Sequence, residues 1–217
     1  MTGTKAIRNR GDLAINGATP AFARPVHVGR PNLAPRQAIM DRLGQMLDSR
    51  WLTNNGPLVQ AFEQRIAEYL GVRHCVAMCN GTIALEIAIR ALGLGGEVIV
   101  PSYTFVATAH ALHWQGLTPV FADIDPRTHN LDPEAVRRMV TPKTTGIIGV
   151  HLWGRPAPHR ELAALADELG LKLMYDAAHA FGCSAGGRLI GSLGACEVLS
   201  FHATKFFNTL EGGAVVT

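Results

Sequence analysis

The chain has 217 residues, of which 47% are hydrophobic and 17% charged, with a formal net charge of +3; that is enough apolar material to bury a full domain core. So small a positive excess, with no basic stripe, argues against a nucleic-acid partner, and no stretch approaches the roughly 18 apolar residues that a membrane span needs. Met1-Thr2-Gly3-Thr4-Lys5 leads into no apolar run of the kind that opens a secretion signal, so a soluble, cytoplasmic protein is expected.

Residues 1–34 are rich in Gly, Pro and Arg, hold no sustained period, and read as an irregular, solvated arm. Residues 35–217 read as one domain in which helix and strand alternate. Helical patterns cover 36–47 and 58–70, with Pro57 where its fixed φ suits a first helical turn. Short apolar strands follow at 74–78, 97–100, 119–122, 146–151, 171–175, 198–201 and 214–217, with helices near 82–92, 106–114, 133–140 and 158–169. Near-continuous apolar strands joined by helical crossovers predict an α/β fold of three layers, α/β/α, around a mostly parallel sheet.

Cys75 and Cys79 fall in one predicted strand, too far apart to bridge. No CxxC pair occurs among the four cysteines, so buried reduced thiols are expected. His110 and His113 have a spacing also found in metal sites, but no third ligand accompanies them and no metal is expected. Gly93-Leu94-Gly95-Gly96 precedes a strand and lacks the GxGxxG spacing of a dinucleotide fingerprint.

In sheets of this kind ligands bind beyond the carboxyl ends of the strands, where Asn80, Ser102, Asp176 and Ser200 fall. Asp176 follows the apolar run 171–175, and Lys205 follows the next strand in Ser200-Phe201-His202-Ala203-Thr204-Lys205. An acid and an amine at one sheet edge are the pair that pyridoxal phosphate (PLP) chemistry needs. The lysine holds the aldehyde as a Schiff base, and the carboxylate keeps the pyridine nitrogen protonated and electron-withdrawing. Lys205 stands between an apolar strand and Phe206-Phe207, where partial desolvation favours the neutral amine. Gly81-Thr82 opens a helix after a strand, which suits either an anion at free N–H groups or an ordinary capped turn. Phe105 reads as core or as a ring contact, His179 and His202 as packed or as ligand-facing, and Asp176 on its own as an exposed strand-end carboxylate.

Six motifs occur in order: Trp51-Leu52-Thr53-Asn54-Asn55-Gly56-Pro57, Asn80-Gly81-Thr82, Pro101-Ser102-Tyr103-Thr104-Phe105, Asp176-Ala177-Ala178-His179, the run ending at Lys205, and Glu211-Gly212-Gly213. Through them residues 51–217 resemble the PLP-dependent sugar-nucleotide aminotransferases, the DegT/StrS-like family of the aspartate aminotransferase (fold type I) superfamily. The resemblance implies a large PLP-binding domain with a seven-stranded sheet containing one antiparallel strand. It implies Lys205 as the Schiff-base lysine and proton carrier, Asp176 at the pyridine nitrogen, and Gly81, Thr82 and Ser200 at the phosphate with His202 beside them. Phe105 would lie against the ring and His179 near its phenolic oxygen.

Related dehydratases carry histidine in place of this lysine, so Lys205 favours amino transfer. The implied reaction takes nitrogen from glutamate and gives it to a nucleotide-linked keto sugar, in a homodimer whose subunits complete each other's sites. His151-Leu152-Trp153-Gly154-Arg155 and Val28-Gly29-Arg30-Pro31-Asn32 are similar to the members that form dTDP-4-amino-4,6-dideoxyglucose. Relatives continue well past Glu-Gly-Gly, so 35–217 is expected to be an incomplete large domain lacking the C-terminal small domain. A PLP-dependent sugar dehydratase and a non-catalytic PLP-binding remnant stay open as alternatives.

Overall fold

The computed structural model describes residues 6–27 and 30–217; Met1 to Lys5, and Val28 and Gly29 of the opening motif, lie outside the described residues. The chain divides into two units, residues 1–30 and 31–217. In the first, two 3-10 turns, Arg10–Asp12 and Ala14–Asn16, carry no buried residue. The Asn9 and Asp12 side chains close a capping box around the earlier turn, which is local hydrogen bonding rather than a core.

The second unit holds six helices: α1 (Arg36–Ser49), α2 (Pro57–Leu70), α3 (Gly81–Ala91), α4 (Ala107–His113), α5 (Pro133–Met139) and α6 (His159–Leu169). Its strands are β1 (Cys75–Met78), β2 (Glu97–Pro101), β3 (Thr118–Ala122), β4 (Thr144–Val150), β5 (Lys172–Asp176), β6 (Ser184–Ala185), β7 (Arg188–Leu189), β8 (Glu197–Ser200) and β9 (Gly213–Val216). Seven of them form one sheet in the order β1-β9-β8-β5-β4-β2-β3. The run from β3 through β8 pairs in parallel, and β9 alone runs antiparallel, between β1 and β8. The expected elements are all present, their ends displaced by at most two residues, the usual uncertainty of a helix or strand terminus. The β6–β7 hairpin was not expected from the sequence, because two-residue strands around Gly186-Gly187 are too short to show alternation.

Alternate strand positions feed the two faces. Ile148, Met174 and Val198 pack with Leu85 and Ile89 of α3 and Leu112 of α4. Ile147, Leu173 and Tyr175 pack with Val136 of α5 and Leu162 and Leu165 of α6. Leu199, Ala214 and Val216 meet Ile66 and Leu70 of α2. Helices α2 and α6 stop where Gly71 and Gly170 take left-handed φ values of 68° and 65°, a conformation that a side chain disfavours.

A buried polar pair lies between the end of β4 and the start of β8. His151 and Glu197 are both fully buried, with Nε2 3.3 Å from Oε2. The Ala157 N–H donates to His151 Nδ1 at 2.9 Å, while Nε2 and Glu197 Oε2, though close, do not meet hydrogen-bond geometry. Leu193 N–H donates to Glu197 Oε1 at 2.6 Å, and the His151 ring stacks on Tyr175 at 4.6 Å. The His151 N–H donates in turn to the Asp176 carbonyl at 3.0 Å, fixing the end of β5 against that of β4.

The cysteines depart in part from expectation. Cys75 and Cys196 are buried, and burial pushes their thiols up to about 12 and about 11. Cys79 is exposed and Cys183 half-buried. Strand β1 ends at Met78, so Cys79 has already turned out toward the start of α3. All four are free.

Strand β9 enters the sheet against the start of α3, with no room between them. A Cβ on Gly213 would lie 2.5 Å from the Asn80 carbonyl oxygen and 2.6 Å from Gly81 N. Gly213→Ala should therefore cost about 1–3 kcal/mol of stability by overpacking, read as a lower urea midpoint. Gly95→Ala, where a Cβ would meet nothing within 4 Å, should leave the midpoint unchanged.

Candidate active site

The carboxyl ends of β2, β4, β5 and β8 and the first turn of α3 enclose a cleft of about 420 Å³. The eight residues expected to contact the cofactor all line it: Gly81, Thr82, Phe105, Asp176, His179, Ser200, His202 and Lys205; Ser102 does not. Asn80, Thr104, Thr204 and Glu211 join them.

One end of the cleft gathers free backbone N–H groups and a hydroxyl at the start of α3. Asn80 caps α3, its Oδ1 accepting the Ile83 N–H at 2.9 Å, while the Gly81 and Thr82 N–H groups have no acceptor within the helix. Ser200, at the end of β8, is 9% exposed. A Cβ on Gly81 would come within 3.1 Å of Ser200 Cβ and 3.5 Å of its hydroxyl, so a side chain there would fill the cradle.

The acid lies at the centre. Asp176 is 4% exposed, which sets aside the reading of a solvated strand-end carboxylate. Each of its oxygens has a donor: Thr108 Oγ1 to Oδ2 at 2.8 Å and the Ala178 N–H to Oδ1 at 3.1 Å. Thr108, on α4, is fully buried, and its hydroxyl lies 2.9 Å from that of Thr104. A hydroxyl has one proton to give, so Thr108 donates to the carboxylate and Thr104 donates to Thr108. This chain of hydroxyls was not anticipated; the pair of threonines four apart, just after β2, was the available signal.

The amine closes the site. Lys205 is half-buried, and burial lowers its pKa below the ordinary lysine range against the opposing pull of Asp176. Burial, and then the Lys205 charge, hold His179 below the ordinary imidazole range, with Asp176 pulling the other way. Its Nδ1 accepts the Trp153 N–H at 3.4 Å, leaving Nε2 to carry the proton. Amine, imidazole and carboxylate thus share one electrostatic neighbourhood. Lys205 N–H donates to the His202 carbonyl at 2.8 Å, and His202 Nδ1 lies 2.8 Å from Thr204 Oγ1.

The two phenylalanines after Lys205 behave differently. Phe207 packs against Phe62, Phe181 and Phe201 and pins the turn. Phe206 is 79% exposed, so only one of the pair can contribute to desolvation. Phe105 and Tyr103 are exposed rather than core. Asn54-Asn55-Gly56-Pro57 forms the turn into α2 and does not line the cleft. His110 and His113 are exposed on α4, and among the described residues no group of three His, Cys, Asp or Glu could hold a metal ion. Nor, among them, is any helix long and apolar enough to cross a membrane.

Residues 34–217 match the model of the DegT/DnrJ/EryC1/StrS aminotransferase family. The chain belongs to that family. It is 46% identical over 193 residues to the dTDP-4-amino-4,6-dideoxy-D-glucose transaminase of Shigella dysenteriae, covering 89% of this chain and 53% of that protein. The crystal structure of DesI in the presence of its TDP-sugar product superposes with a TM-score of 0.89 at 58% identity, covering 95% of this chain and 53% of DesI. NtdA from Bacillus subtilis with bound cofactor PMP gives a TM-score of 0.79 at 30% identity, covering 90% of this chain and 46% of NtdA. The chain thus spans about half the length of the relatives it matches.

Removing the Thr108 hydroxyl at constant shape isolates its part in holding Asp176. Thr108→Val should destabilise the fold by about 1–3 kcal/mol, the cost of a buried acceptor left without its donor, and Thr108→Ser should restore most of it. Denaturant unfolding of the three proteins at neutral pH checks both.

Proposed function

We propose that this chain provides the cofactor-binding part of a PLP-dependent aminotransferase whose acceptor is a nucleotide-linked keto-deoxysugar, a dTDP-4-keto-6-deoxyhexose, and whose amino donor is glutamate. The working form we propose is a homodimer. The observation that carries the reading is the meeting, in one cleft, of an anion cradle, a buried carboxylate and a desolvated lysine. That donor set fits PLP: Gly81, Thr82 and Ser200 for its phosphate with His202 beside them, Asp176 for its pyridine nitrogen, Phe105 for its ring, His179 for its phenolic oxygen and Lys205 for its aldehyde. The similarity to a dTDP-sugar transaminase and to DesI supports the nucleotide and the sugar class.

Bound there, PLP supplies an electron-accepting ring that stabilises negative charge at the carbon gaining or losing a proton. The protein's part is positional and electrostatic. Asp176, held by two donors, keeps a proton at the pyridine nitrogen. Lys205 Nζ, its charged form disfavoured by burial, is in its neutral form a nucleophile toward a carbonyl and afterwards a base and acid that takes a proton and returns it. Phe105 limits tilt of whatever planar group lies beneath it.

Mixing the chain with PLP should give a visible absorbance band that Lys205→Ala lacks, and glutamate should convert the wild-type band to a pyridoxamine-type spectrum. Below the lowered pKa the amine is protonated and inert. Uptake should therefore rise with pH, with a midpoint below the ~10.4 of an unperturbed lysine. A wild-type spectrum with no such band, or an unchanged band in Lys205→Ala, would overturn the reading.

A further inference from the structure

Beside the cleft, along the same carboxyl edge of the sheet, three aromatic rings gather at the surface without any part in the cofactor chemistry. Tyr103 follows β2, His129 follows β3 and Trp153 follows β4, three strands that are neighbours in the sheet. Their rings meet edge to face, with centroids 6.0 Å apart for Tyr103–His129 and 5.8 Å for each of the other two pairs. Tyr103 is 45% and Trp153 65% exposed. Single surface aromatics need no explanation, but a cluster of three held against solvent does.

Backbone strain separates this cluster from incidental exposure. His129 and Trp153 adopt φ values of 60° and 51°, a left-handed conformation that bulky side chains disfavour and that persists only where the surroundings impose it. Asn130, 2% exposed, imposes it here. Its amide donates to the Arg155 and Pro156 carbonyls at 3.3 and 2.9 Å, and its Oδ1 accepts the Leu152 N–H at 3.3 Å. Asp125 accepts the Arg127 and Thr128 N–H groups on its side chain and the His129 N–H on its carbonyl. Arg155 Nη1 donates to the Arg127 carbonyl at 2.9 Å. Two turns are thereby laced into one rigid support whose outward product is a pair of rings.

The platform is continuous with the cleft. The Trp153 N–H bonds to His179 Nδ1, and Tyr103 runs directly into Thr104 and Phe105 of the cleft wall. We propose that Tyr103, His129 and Trp153 are the stacking platform for the base of the substrate's nucleotide, with the Arg155 guanidinium serving its diphosphate. The proposal rests on the sugar-nucleotide reading given above. Planar bases stack on exposed aromatic rings without needing matched hydrogen bonds. A guanidinium has five donors, of which Arg155 uses one here, and the fork geometry of the rest suits phosphate oxygens.

Calorimetric titration of the PLP-loaded chain with dTDP tests this directly. Wild type should bind dTDP. Trp153→Ala and Tyr103→Ala should each weaken binding about five-fold or more, Trp153→Phe should retain most of the affinity, and the visible cofactor band should persist in all three variants as evidence of an intact cleft. Equal dTDP affinity in wild type and both alanine variants would overturn the proposal. So would a PLP-loaded wild type that binds no dTDP, or alanine variants that lose self-association but keep dTDP affinity, which would make the cluster a surface for a second copy. A wild type that takes up no PLP fails the cofactor reading instead, and the two failures are told apart by the absorbance band.

Discussion

A carboxylate with almost no access to water must be held by donors or surrender its charge, and Asp176 meets that condition with one donor on each oxygen. The remaining features of the cleft follow from this anchor. Its charge opposes the desolvation of Lys205 and of His179, so the amine is weakened as a base without being stranded. The Thr104–Thr108 hydroxyls carry the same ordering outward to the cleft wall. The site's electrostatics are thus set before any ligand arrives, as preorganisation requires.

Keeping that carboxylate in place is the work of residues on both sides of the sheet. On one side α4 supplies Thr108 from a stripe otherwise made of Ala111 and Leu112. On the other, the His151 backbone N–H to the Asp176 carbonyl and the stack of the His151 ring on Tyr175 hold the end of β4 against β5. Strand β9, the single antiparallel member, packs so closely on Asn80 and Gly81 that the start of α3 is positioned by the sheet rather than by a free loop. Sites carried by strand ends and helix starts are more exact than sites on mobile loops.

The fold was legible because nearly every strand is apolar at both parities and the helices carry the 3.6-residue period, signals that survive in a single sequence. The cleft was legible because its residues sit just after those strands, at the edge where parallel sheets place ligands. What escaped was of another kind. Thr108 is a hydroxyl on a helix face, and only three-dimensional packing brings it to a residue 68 positions away. The exposure of Cys79 and Phe206 turned on where a strand or turn ended by one residue. The aromatic cluster depends on two left-handed residues that nothing in composition or spacing announces.

Membership of the family follows from the match over 34–217, and the account of activity stands or falls on one amine. Of the three lysines among the described residues, Lys143, Lys172 and Lys205, only Lys205 lines the cleft. The most direct test is borohydride reduction of the PLP-loaded chain followed by proteolysis and mass mapping. The account predicts a phosphopyridoxyl adduct confined to the peptide containing Lys205. An adduct on Lys5, Lys143 or Lys172 in its place, or none on any lysine, would contradict it.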